Sequence, residues 1–177
     1  MLPHFFYSTP LAPCPYLSGK FERKIATELK SPWPESLHNA LSRAGFRRSH
    51  GIAYVPACPD CSACIPTRIN VAEFSPYRTM RRVLARNADL SCVFAPPIAT
   101  DEHFTLFAHY QKARHATGDM VQMTDEDYRS MIEESPIKTY LVEYRGHAGE
   151  LLATCLTDQM DDGLSAVYSY YTASTSR

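Results

Sequence analysis

Three cysteines recur at two-residue gaps, Cys58, Cys61 and Cys64, with Pro59 and Asp60 following the first. Thiolates so spaced can converge on one metal ion or cluster, which pins the chain into a loop there. A free cysteine often serves only as a small buried apolar side chain. Three evenly spaced copies beside a proline and an aspartate do not read as core packing. A closed site needs a fourth ligand. Cys14 has a similar Cys-Pro setting and is the candidate, while Cys92 and Cys155 lie in strand-like runs and read as core residues. Four thiolates suit zinc or an iron–sulfur cluster, and the spacing leaves that choice open.

The loop lies among arginines. Arg47 and Arg48 precede it, and Arg68, Arg78, Arg81, Arg82 and Arg86 follow. From Arg43 to Arg86 there are eight arginines, no lysine and two acids, a net of +6, whereas Asp101 to the end nets −7. The formal charge of −1 therefore hides a basic half and an acidic half, and the basic half suits a polyanion. A solvated arginine face is the plainer alternative. The lack of lysine favours recognition, because the guanidinium fork matches phosphate and carboxylate.

Composition excludes several classes. With 45% hydrophobic and 21% charged residues, the chain is ordinary globular material. No apolar run reaches the roughly 18–20 residues of a membrane span. The N-terminus has three prolines by Pro13 and no leading basic residue, unlike a signal peptide. A cytoplasmic, reducing setting follows, so the six cysteines point to metal or redox chemistry before disulfides. His4, His38, His50, His103, His109, His115 and His147 show no metal spacing, and His50 reads as a surface residue. Serine-nucleophile, zinc-protease, Walker and dinucleotide motifs are absent.

Residues 1–20 read as irregular and 21–30 as strand or helix, with Ser31-Pro32-Trp33-Pro34 as a breaker. Glu35–Ala44 reads as a helix closed by Gly45, and Gly51–Ala57 and Arg68–Phe74 as strands flanking the cysteine loop. Ser75-Pro76 should start a helix running to about Ala88, with Arg78, Arg81, Arg82 and Arg86 on one face and Met80, Val83 and Leu84 nearer the other. Leu90–Phe94 reads as a strand, and Pro96-Pro97 as the boundary between domains at 1–95 and 98–177. A helix from Asp101 to about Thr117, capped by Thr100, should bury Phe104, Phe107, Ala108 and Tyr110. A second helix follows Thr124 with Asp127 in a capping box. Strands at Thr139–Arg145, Glu150–Thr157 and Leu164–Tyr171 then form a meander, giving an α+β fold.

The blocks CPYLSGKFERK, GFRRSHGIAYVPAC, CSACIPTRINVAEF, RRVLARNADL, RHATGDM and DGLSAVYSYY span Cys14 to Tyr171. They resemble the aminoacyl-tRNA–protein transferases of the N-degron pathway, in particular the bacterial branch, the aspartate/glutamate leucyltransferases. The resemblance implies a small cysteine-bearing N-terminal domain and an acetyltransferase-like (GNAT-like) antiparallel-sheet domain. It also implies transfer of an amino acid, leucine before arginine, from charged tRNA to a protein N-terminus beginning with Asp or Glu, which marks that protein for degradation. The donor ester is already activated, so the chemistry needs positioning rather than a nucleophilic side chain or a cofactor. Asp158 and Tyr168 are the candidates to handle the amine's proton. The arginines would serve tRNA phosphates, with Arg47, Arg48 or Arg68 taking the acceptor carboxylate. Neither a membrane nor DNA is expected as a partner.

Relatives in that family continue further, so the second domain is expected to be C-terminally incomplete. It should show an exposed edge or apolar face near Leu164–Tyr171 and lack transfer activity on its own. Two other functions compete. One is a non-enzymatic zinc knuckle binding nucleic acid. The other is an acyl-coenzyme A acetyltransferase, against which the lack of a Q/RxxGxG/A loop argues.

Overall fold

The computed structural model describes residues 4–30 and 32–173, leaving the first three residues, Ser31 of the proline breaker and the last four residues outside the described set. It forms two compact units, Met1–Arg68 and Ile69–Arg177. The division falls well before Pro96-Pro97, because residues 91–95 pair with the sheet of the second unit. The two prolines only link that strand to the next helix.

The first unit contains β1 (Tyr7–Ser8), β2 (Ala12–Pro13), β3 (Phe21–Glu22), β4 (Lys24–Glu28), α1 (Pro34–Arg43), β5 (Arg47–Ser49) and β6 (Ile52–Pro56). One antiparallel sheet has the order β1-β4-β6-β5, and β2 pairs with β3. The N-terminal stretch read as irregular thus supplies short strands. The core is small: Leu29, Leu41 and Ala53 are buried, and Leu37 and Phe46 pack against them. Gly45 ends α1 with φ of +90°, and Phe46 N–H reaches back to Leu41 O at 3.0 Å. That is a left-handed C-terminal cap, where glycine alone avoids Cβ strain. A Cβ there would also lie 3.0 Å from Pro66 Cγ.

The second unit begins without the strand expected at Arg68–Phe74. Asn70 Oδ1 accepts from Ala72 N–H (3.2 Å), and Glu73 N–H donates to Asn70 O (3.2 Å), so a local turn replaces it. The helix α2 (Arg78–Arg86) begins later than the Ser75-Pro76 signal indicated. Tyr77 stands extended as its N-cap, and Arg81 Nη1 donates to Pro76 O at 2.9 Å.

There follow β7 (Ser91–Ala95), α3 (Asp101–Arg114), a 3-10 turn (Asp119–Gln122), α4 (Asp125–Glu133), β8 (Thr139–Arg145), β9 (Leu151–Gln159) and β10 (Leu164–Tyr171). The sheet is an antiparallel meander, β10-β9-β8-β7. Leu106, Phe107, Tyr128, Ile132, Leu141, Leu156 and Tyr170 form its core. At one sheet edge, β10 leaves Leu164 and Tyr171 exposed.

Helices α3 and α4 start as capping boxes. Thr124 pairs with Asp127 as expected, and Thr100 pairs with His103. His103 Nδ1 accepts from Thr100 N–H (3.2 Å), so Nε2 carries the hydrogen and donates to Glu143 Oε1 at 2.9 Å. The buried stripe of α3 is His103, Leu106, Phe107 and Gln111. It is not the all-apolar set expected: Phe104 and Tyr110 are only partly buried, and two polar residues point at the core.

A bulge interrupts β10. Ala166 pairs with Thr157 and Tyr168 with Leu156, leaving Val167 outside the ladder. Val167 and Tyr168 consequently both pack on the core that buries Tyr170, whereas regular alternation put Val167 on the opposite side.

Candidate active site and arginine surfaces

In the first unit the cysteine loop leaves β6 directly. Ala57 N–H donates to Arg23 O at 2.8 Å, and Cys58 Sγ lies 3.7 Å from the same oxygen. Cys14 N–H donates to Lys20 O at 2.9 Å, extending the β2–β3 hairpin. Cys14, Cys58 and Cys61 are half-buried and Cys64 is exposed, all as free thiols. Among the described residues, no three His, Cys, Asp or Glu side chains are gathered to hold a metal ion. As placed, the four thiols do not form a ligand cage. Cys155 is half-buried, but Cys92 is exposed, because β7 is a sheet edge.

The arginines divide by burial. Arg47 and Arg68 are exposed. Arg48 is buried, and its Nη1 donates to His50 O (2.8 Å) across the β5–β6 turn, where His50 has φ of +50°. Arg48 therefore helps to hold that turn. Arg78, Arg81, Arg82 and Arg86 are all exposed on α2, a helix that buries none of its residues.

The two catalytic candidates also separate. Asp158 is wholly buried, and its Oδ1 accepts from Thr139 Oγ1 (3.2 Å), which in turn lies 2.7 Å from Ser135 Oγ. It borders neither the cleft beside Tyr168 nor the one beside Glu102. Tyr168 does line one: a cleft of about 230 Å³ between the end of α3 and the bulge of β10, bordered by Tyr110, His115 and Ala166–Ser169. Gln111 Nε2 donates to Tyr168 Oη at 2.6 Å. Burial pushes the Tyr168 phenol above its ordinary range, and the Gln111 bond opposes this. His115 Nε2 lies 3.3 Å from Tyr110 Oη, and Arg114 Nη2 donates to Tyr171 Oη at 2.8 Å.

Tyr110, expected as a buried helix residue, and His115, which showed no metal spacing, were not singled out as site residues, and Gln111 was not singled out at all. The signal for Gln111 was its place at i+8 from His103, on a helix face that turns inward.

A second cleft of about 400 Å³ includes Asp101, Glu102, His109 and Leu151. Its carboxylates are already engaged: Asp101 with Arg129 (2.8 Å) and Glu102 with Arg145 (2.9 Å), the latter holding the Glu102 carboxyl below the usual carboxylate range.

The model of the family described as "Arginine-tRNA-protein transferase, N terminus" matches residues 12–82, and the corresponding C-terminus model matches residues 102–177. The first match runs past the end of the first compact unit at Arg68, and the gap between the two matches brackets Pro96-Pro97. Proteins named aspartate/glutamate leucyltransferase are close relatives. That of Paramagnetospirillum magneticum is 58% identical over 96% of this chain and 69% of its own length. That of Gluconacetobacter diazotrophicus is 56% identical over 96% and 65%, and that of Rhodospirillum rubrum 53% over 96% and 69%. The chain thus spans about two thirds of the length of these relatives. It belongs to the aminoacyl-tRNA–protein transferase family.

Proposed function

We propose that this chain transfers leucine from charged tRNA to protein N-termini beginning with Asp or Glu, marking them for degradation in the cytoplasm. The observation that carries this is identity of 53–58% to leucyltransferases along nearly the whole chain. The second unit, on this reading, is part of an acetyltransferase-like fold, which its bulged antiparallel sheet supports.

The chemistry asks for positioning. A free α-amine has a pKa of roughly 7.7–8, so it loses a proton before it attacks the ester. The cleft beside β10 is the reaction site in this proposal, with His115 and Tyr110 at its wall to receive that proton. Exposed Arg78, Arg81, Arg82 and Arg86 serve tRNA phosphates. Arg47 and Arg68 serve the acceptor's acidic side chain, a role for which the buried Arg48 is unsuited. A zinc ion or iron–sulfur cluster on Cys14, Cys58, Cys61 and Cys64 would require the loop after β6 to close on Cys14.

The test offers the chain leucyl- and arginyl-tRNA with peptides starting in Asp, Glu or Ala. Leucine added to the Asp and Glu peptides alone is the expected product. Arginine as the preferred donor, or no product, would overturn the reading.

A further inference from the structure

Gln111 is about 1% exposed, yet it carries a full amide into the core face of α3. A buried amide has to find a partner. Here the partner is a phenol at a cleft wall, 57 residues away, reached at 2.6 Å. An oxygen that accepts from an amide N–H keeps its own hydrogen for another acceptor. With Gln111 donating from the core side, the Tyr168 hydroxyl hydrogen is turned away from it, toward the cleft. The bulge at Val167 supports the same aim, since bulges re-aim side chains beside reactive sites. Burial, which favours the neutral phenol, keeps that hydrogen in place at neutral pH.

We infer that Tyr168 donates a hydrogen bond to the oxyanion formed during aminoacyl transfer, and that Gln111 is the positioning residue that directs the hydrogen. This rests on the proposed transferase reading and assigns a part within it. The amine lone pair attacks the ester carbonyl carbon, a C–N bond forms, and the carbonyl π pair moves onto oxygen. Tyr168 donates to that oxygen and keeps its proton. When the pair returns, the C–O bond to the tRNA ribose breaks. The ribose oxygen leaves with its electrons and takes up a proton, balancing the one the nitrogen gives up. Preorganised donors of this kind gain in a site that excludes water.

The experiment measures leucyl transfer by the full chain and its variants. Tyr168→Phe should lower kcat by about 10²- to 10³-fold, the usual effect of losing one oxyanion donor, with KM for tRNA and peptide nearly unchanged. Gln111→Glu should also lower kcat, because a carboxylate there accepts the Tyr168 hydrogen and draws it inward. Combining it with Tyr168→Phe should cost nothing further. Gln111→Met, which keeps the bulk, should lower kcat less than Gln111→Glu does. Wild-type kcat in Tyr168→Phe, or independent losses that multiply in the double variant, overturns the inference while leaving the transferase reading intact. If the wild-type chain transfers neither amino acid, that reading fails instead, and binding decides the inference. A phosphonate analogue of leucyl-adenosine, tetrahedral and anionic, should bind the wild type at least about tenfold more tightly than it binds Tyr168→Phe. Equal or absent binding overturns it.

Discussion

Replacing Tyr170 by Phe isolates one buried hydroxyl in the second unit. Tyr128 and Tyr170 are both fully buried, their oxygens 2.5 Å apart. The substitution removes one oxygen and leaves the ring, so its edge-on contact with Phe107 at 5.6 Å survives and little cavity forms. What remains is the Tyr128 hydroxyl, buried without its partner, at a cost of about 1–3 kcal/mol. Removing both hydroxyls removes the orphan as well, so Tyr128→Phe/Tyr170→Phe should lose less than the two single variants together. Urea unfolding followed by far-ultraviolet circular dichroism reads this. With m near 1–3 kcal/mol per molar, Tyr170→Phe should lower the midpoint by about 1 M at unchanged m. Alkaline titration gives a second reading. Burial pushes the Tyr170 phenol up to about 12. Its folded value lies above the unfolded value of about 10, so its stabilisation is complete below pH 10 and fades as pH rises through about 12. That fading should proceed at about 1.4 kcal/mol per pH unit, and Tyr170→Phe should remove this share while leaving a shallower limb from Tyr128 and Tyr168, whose phenols burial also raises. Strict additivity in the double variant, or an alkaline limb as steep in Tyr170→Phe as in the wild type, would refute the reasoning.

Phe107→Ala removes a ring in contact with Phe104, Tyr128, Tyr168 and Tyr170; about 3–5 kcal/mol of stability should go with it in denaturant unfolding. Replacing Arg78 and Arg86 with Ala should weaken tRNA binding and flatten its log–log salt dependence by about 1.4–1.8, from roughly 0.7–0.9 per phosphate; an unchanged slope assigns α2 another role. The four-thiolate proposal requires zinc, or iron with sulfide, in protein purified without oxygen, and its loss in Cys61→Ser; metal-free protein removes the proposal.

Where local signals and tertiary packing agreed, the sequence was legible. The ends of β8 and β10, the cap at Thr100 and the box at Thr124 were read from hydrophobic runs and cap residues. Arg68–Phe74 misled because its apolar alternation was weaker than the turn chemistry of Asn70. Pro96-Pro97 lies between the two family matches but not between the two compact units, because residues 91–95 before it pair with the second unit's sheet. The candidate site was half legible. Tyr168 could be named from its strand, but Asp158 reads the same in sequence whether it faces a cleft or, as here, a buried hydroxyl. Gln111 was hidden because amphipathic patterning treats a glutamine as a solvent-facing residue.

The unpaired Val167 also bears on which length changes this strand tolerates. On either side of it, β10 keeps step with β9: Ser165 opposite Asp158, Tyr168 opposite Leu156 and Tyr170 opposite Thr154. Deleting Val167 would close the ladder and leave each of those residues on its present face. Deleting Ser169 would instead send Tyr170 out of the core, since a slip of one residue inverts a strand's facing. Position 167 is therefore where an insertion can be absorbed or lost without scrambling the sheet, and length variation among relatives in this strand should concentrate there.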